Sequence, residues 1–268
     1  MGFLAELPES HATGEKAAIY AEVKRLGGVP MVALIFRHLA TLPGALEWTW
    51  GAIGPAWRDG RLQEAAWNIA RETPMEPLAA IPREALAALD VDDAGLGEIR
   101  IALDAYNRAN PENMLSVLCV LRLLAGSRAS NPFVARSWAP PPAPGPLVPM
   151  ADVATMPRDV VALLDLVAAP GDANGPRVVQ SLYRHFAHRP AFLALAVTLL
   201  RQRFDDGSIE RGVGSIRAAM NAAADDIART LAAPPAPTPA IGAVCERFGG
   251  GVIPQMIVVG SLLARALP

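Results

Sequence analysis

Two stretches of this chain, far apart in sequence, hold one register without a gap. RHLATLPGALEWTWGAIGPAWRDGRL, Arg37 to Leu62, aligns with RHFAHRPAFLALAVTLLRQRFDDGSI, Arg184 to Ile209. Arg37 and His38 fall on Arg184 and His185, Ala40 on Ala187, Pro43 on Pro190, Leu46 on Leu193, and Asp59-Gly60 on Asp206-Gly207, each pair 147 positions apart. Upstream, Pro30 and Pro176 continue the match with a slip of one residue. A Pro and a Gly kept in one register over this length mark an internal duplication, which restricts the fold to two like units.

Each unit reads as a string of helices. An amphipathic helix opens it, Glu15 to Leu26 in the first and Arg158 to Ala168 in the second. A segment after Pro30 or Pro176 ends before Pro43 or Pro190, each suited to the first turn of the next helix. That helix stops at Asp-Gly, where Gly can turn left-handed, and a fourth starts at Arg61 or Ser208. The first unit adds Asp92 to Ala109 and Pro111 to Leu124, with Asn110-Pro111 as a break between them. No run alternates polar and apolar residues long enough for a sheet. The hydrophobic fraction, 52%, is carried by Ala, Leu and Val, which leans the same way.

The fold class expected is therefore all-α: a duplicated multi-helix array, two tandem repeats packed about a pseudo-two-fold axis with a cleft between them. The boundaries are 1–126 for the first repeat with a short N-terminal extension, 127–157 for a linker, and 158–268 for the second repeat. The linker, Ser127 to Pro157, is dense in Pro and predicts an extended, partly polyproline-like connector pinned to the surface by Trp138. A shorter Pro-rich stretch from Ala233 interrupts the second half.

Charge and special residues exclude several function classes. The net charge is −2 with no basic stripe, so no nucleic-acid partner is expected. Cys119 and Cys245 sit in apolar runs at no metal or redox spacing, as buried thiols of a reducing cytoplasm would. The N-terminus lacks the cationic start and long apolar core of a signal peptide, and Glu6 spoils a myristoylation pattern. Gly251 to Leu267 is broken by Pro254, Gln255 and Arg265, and predicts a buried core helix rather than a membrane span. A cytoplasmic location follows.

His185 and His188 share a helix face in this reading, but no third ligand stands at helical spacing, so no metal and no organic cofactor are expected. Gly249-Gly250-Gly251 has neither the preceding strand nor the Lys of a phosphate loop, and reads as a hinge or a close helix crossing. No nucleophile-elbow pattern occurs. Asn110-Pro111 carries more information. A polar amide and a helix N-terminus at a break would suit a carboxylate, although Asn110 as a plain helix cap fits the residues as well.

On these residues the chain resembles the group I 2-haloacid dehalogenases, which act on both D- and L-2-haloacids. The resemblance rests on VPMVALIFRHLATLPGAL (Val29 to Leu46), preceded by Tyr20 and Val23-Lys24; on AYNRANP (Ala105 to Pro111); and on SLYRHFAHRP (Ser181 to Pro190). It implies a duplicated all-helical fold and an apolar pocket. In it an Asp activates a water that displaces halide directly, with an Asn holding water or substrate. The Asn matches Asn110, the Ser beside the catalytic Asp matches Ser181, and the Asp itself falls on Leu182. A Tyr after the Asn-Pro pair falls near Asn113, the pocket Trp and Phe fall on Met31 and Leu34, and a later Tyr falls loosely on Cys245.

The departures lie at the chemistry. Leu182 cannot take a proton from water, and general-base catalysis contributes about 10²- to 10⁴-fold. Arg177 to Pro190 contains no Asp or Glu. The reading is a dehalogenase-like protein with an apolar inter-repeat cleft for a small carboxylic acid, without efficient dehalogenation. One alternative is an active hydrolase whose base is displaced to Asp165, Glu112 or Glu246. Another is a structural or partner-binding helical protein whose cleft is filled by Met31, Leu34 and Leu182. An alkylhydroperoxidase-like enzyme would want a Cys-x-x-Cys with a nearby His, and Cys119 has neither. A homodimer is compatible with this reading.

Overall fold

The computed structural model describes residues 4–130, 136–167 and 180–268. Among them the chain is all helical, without a strand. The helices are α1 (Gly14–Gly27), α2 (Leu34–Leu39), α3 (Ala45–Arg58), α4 (Arg61–Glu72), α5 (Arg83–Ala88), α6 (Asp93–Leu124), α7 (Arg158–Val167), α8 (Ser181–Phe186), α9 (Pro190–Asp205), α10 (Ser208–Ala228), α11 (Ala240–Gly250) and α12 (Val252–Ala266). The expected positions Ala168 and Pro176 lie outside the described residues.

The starts of α2 and α8, and of α4 and α10, stand 147 residues apart, the offset seen in the sequence. Gly60 and Gly207 both take the left-handed conformation at the turn into the fourth helix, with φ of 75° and 73°. Pro190 opens α9 at its first turn, whereas Pro43 precedes the left-handed Gly44 that leads into α3.

The expected break at Asn110-Pro111 does not exist. α6 runs unbroken through Pro111 for 32 residues. An interior Pro costs about 3 kcal/mol, because its ring displaces a carbonyl four residues back and removes a donor. Burial offsets that cost. α6 is the spine of the molecule, packed by α4 from the first half and by α10, α11 and α12 from the second. Every residue from Pro111 to Val120 is buried. Tertiary packing on several sides thus overrides a local signal to stop. Where α12 crosses the spine, Asn107 Nδ2 donates to the Gly260 carbonyl (3.1 Å), and Gly260 has no room for a Cβ beside the Asn107 amide. Gly249 likewise lies close against Val117, a tight crossing of α11 and α6. The run Ala240–Ala266 is long and apolar enough to cross a membrane, but α12 is spent on the core, packed on α6 and α10.

Residues 136–152 of the Pro-rich linker cross the body without regular helix, as a strap. The Trp138 indole lies on Gly60, leaving no space for a side chain there, and stacks at a tilt near Trp67. Arg108 holds the strap further along, donating to the Pro142 carbonyl (2.7 Å) and to Gly28 (3.0 Å). His188 and Arg184 bond Pro149 and Ala151 (2.7 and 2.9 Å), which brings residues 147–150 over the centre of the fold.

Candidate functional site

Under that stretch of the strap lies a cavity of about 290 Å³. Five parts of the chain build most of its walls. α6 contributes Tyr106, Ala109, Asn110 and Asn113, spaced so that one helix face points inward. Met31 to Ile35 and Arg37 come from the segment entering α2, and Gln180, Ser181, Leu182 and His185 from the corresponding region of α8. α11 and α12 supply Arg247, Phe248, Val252, Ile253 and Met256, and the strap supplies Leu147 to Met150. The apolar side chains give the cavity its volume, and the amides of Asn110, Asn113 and Gln180 give it polarity.

Of the residues singled out from the sequence, Met31, Leu34, Asn110, Asn113, Ser181 and Leu182 all line this one cavity. Cys245 does not. It is fully buried on α11 beside a separate void of about 10 Å³ between α2 and α6, which has room for no more than one water. Asn110 is not a helix cap: it sits mid-helix, with Nδ2 buried and unpartnered. His185 and His188 do not share a helix face, because α8 ends at Phe186. His188 turns to the Pro149 carbonyl, while His185 faces inward to the Tyr106 hydroxyl at 3.2 Å.

The electrostatics follow from depth. Burial drives the His185 imidazole below its ordinary value, so it is neutral at physiological pH, and Arg184 and His188 nearby push the same way. Burial pushes the Tyr106 phenol up to about 12, so it stays protonated. Arg37 and Arg247 line the cavity as its cations; Arg37 also pairs with Glu6 at 2.9 Å. Glu9 is the one carboxylate among the described lining residues, and both its oxygens are engaged. Oε1 accepts from the Val32 amide and Oε2 from Lys24, each at 2.7 Å.

The other carboxylates considered from the sequence stand elsewhere. Asp165 and Glu246 are exposed. Glu112 is 1% exposed but faces Gly27 of α1, away from the cavity, and burial raises its carboxyl well above the ordinary range. Nothing among the described lining residues therefore combines a free carboxylate with access to a bound molecule.

No family model matches the chain. A configuration-inverting 2-haloacid dehalogenase of Alcaligenes xylosoxydans xylosoxydans is 28% identical over 184 residues, covering 65% of this chain and 61% of that enzyme. The match spans about three fifths of the enzyme's length. Solved structures extend the likeness to nearly the whole chain. A D-2-haloacid dehalogenase mutant superposes with a TM-score of 0.72 at 18% identity, over 98% of this chain and 96% of that one.

The fold is that of the D-2-haloacid dehalogenases.

A D-2-haloacid dehalogenase mutant in complex with D-2-CPA gives 0.67 at 19% identity. A D-2-haloacid dehalogenase in complex with L-LA gives 0.65 at 18%. Each covers 98% of this chain and 94% of the other.

Sequence reasoning missed Tyr106, Gln180, His185, Arg247 and the strap residues. Tyr106 was within reach: it stands four residues before Asn110, and an unbroken helix puts both on one face. Gln180 precedes Ser181 directly, yet nothing in its type or spacing distinguishes it from a surface amide.

Proposed function

We propose that this protein is a 2-haloacid dehalogenase relative that binds a small 2-substituted carboxylic acid in its central cavity and does not efficiently expel halide from it. One observation carries the reading. Leu182, which the resemblance sets at the position of the water-activating Asp, has no solvent exposure and forms part of the cavity wall. A hydrocarbon there cannot take a proton, and Glu9 is committed to Val32 and Lys24. The described residues that could hold an acid are nonetheless in place. Asn110 Nδ2 offers a donor, Arg37 and Arg247 supply positive potential, and Met31, Leu34 and Leu182 accept an alkyl group.

The same reading includes the duplication, with repeats 1–126 and 158–268 joined by the strap 127–157, and a cytoplasmic setting. Matching helix starts and the paired left-handed glycines support it. The cavity would then be an inter-repeat site, since α2 and α8 face it from corresponding positions.

Saturation-transfer NMR with 2-chloropropionate tests the binding. Transfer to the acid's methyl protons is expected in the wild type, and its loss in Ser181→Phe, where a ring would fill the cavity. Absence of transfer to 2-chloropropionate and lactate alike would leave a purely structural helical protein.

A further inference from the structure

The cavity holds hydrogen-bonding groups that a haloacid cannot use. Gln180 is 3% exposed and lines the cavity, and neither its Oε1 nor its Nε2 has a partner. It is the residue before α8, where a side chain often folds back to cap the helix, yet this one makes no capping bond. Asn113, also 3% exposed and in the lining, leaves Oδ1 without a partner. The Gln180 result does not depend on which way the amide is turned, because both atoms are unpartnered. Either orientation presents one donor and one acceptor.

The acceptors decide the ligand chemistry. A carboxylate accepts hydrogen bonds and donates none, and a carbon-bound halogen donates none. A 2-haloacid seated here gives these buried acceptors no partner, so their hydrogen bonds stay unmade. A hydroxyl in the halogen's place both donates and accepts, so it can satisfy Gln180 Oε1 or Asn113 Oδ1 while taking a bond from Gln180 Nε2. Resting on the proposed binding of a small 2-substituted acid, we infer that the cavity selects a 2-hydroxy acid over the corresponding 2-haloacid, with Gln180 as the residue that reads the hydroxyl.

Isothermal titration of the full chain with lactate and with 2-chloropropionate, both hands of each, tests this. The better-bound lactate is expected to bind at least ten-fold more tightly than either chloropropionate, the scale of one unmade bond at a buried acceptor. In Gln180→Met, which keeps the length and removes both polar atoms, the ratio should fall to within about three-fold. Removing an unpartnered buried amide leaves the fold at least as stable, so the variant is expected to melt no lower than wild type. Chloropropionate binding as tightly as lactate, or a ratio unchanged in Gln180→Met, overturns the inference and leaves acid binding intact. Binding of none of the acids overturns both.

Discussion

Leu182→Asp puts a carboxyl into a wall with no solvent exposure, and its effect on stability can be worked out in parts. Large-to-small changes in a core cost about 2–5 kcal/mol. Because Leu182 already borders a cavity, relaxation is easy and the low end of that range, about 2 kcal/mol, applies. The electrostatic part depends on pH. Desolvation raises a buried carboxyl, and Arg37 and Arg247 in the same lining oppose it, which leaves a rise of roughly 2 units above an ordinary ~3.9. Each unit is worth 1.36 kcal/mol, so ionising the group in the folded state costs a further ~3 kcal/mol. The folded protein then holds the proton more tightly than the unfolded chain. The extra loss is absent below about pH 4, grows as pH rises to about 6, and is complete at pH 8. At roughly 2–4 °C per kcal/mol, the gap in Tm between wild type and variant should widen by about 5–10 °C over that range. Melting curves from pH 4 to 8.5 measure it, and chloride release from 2-chloropropionate in the same samples should rise in step as the group ionises. A folded variant whose Tm gap is constant with pH would refute the reasoning, since the new carboxyl would then be in water.

Three further outcomes test the packing. Gly60→Ala should cost at least about 2 kcal/mol more than Gly207→Ala in urea unfolding. Both glycines are left-handed, but only Gly60 lies under the Trp138 indole, while Gly207 has just the Arg211 guanidinium near it at 3.2 Å; equal costs would mean that the strap is not seated there. Glu112→Gln should be within about 1 kcal/mol of wild type at pH 5 and gain on it toward pH 9, because burial holds the Glu112 proton and wild type loses stability as pH rises through that raised value; parallel pH curves would contradict it. Cys119 and Cys245, whose thiols burial pushes up to about 12, should resist a thiol reagent in the folded protein at pH 8 and react fully in denaturant; rapid labelling of either in the native state would show it accessible.

The parts of the fold legible in the sequence are those set by local chemistry. Pro190 opens a helix and Gly60 and Gly207 turn left-handed because backbone preferences act within a few residues. Pro111 was misleading for the opposite reason. Its local cost is real, but the packing around α6 comes from other helices, α4 in the first half and α10, α11 and α12 far along the chain. The same limit governs the site. Met31, Asn110, Ser181 and Leu182 could be picked out because they fall on motifs. Leu147 to Met150 join the cavity only because Arg184 and His188 bind the strap, and no periodicity in a Pro-rich run reveals that. Gln180 is distinguished by burial without partners, a property of the folded state alone.

The central claim is that the scaffold remains and the base is gone. Ion chromatography of chloride released from D- and L-2-chloropropionate by the wild-type protein at pH 8 to 9 tests it most directly. Release indistinguishable from a protein-free control is predicted for both hands, because no described lining residue offers a free carboxylate to a water beside Asn110. Sustained, enzyme-proportional chloride release from either hand would contradict it.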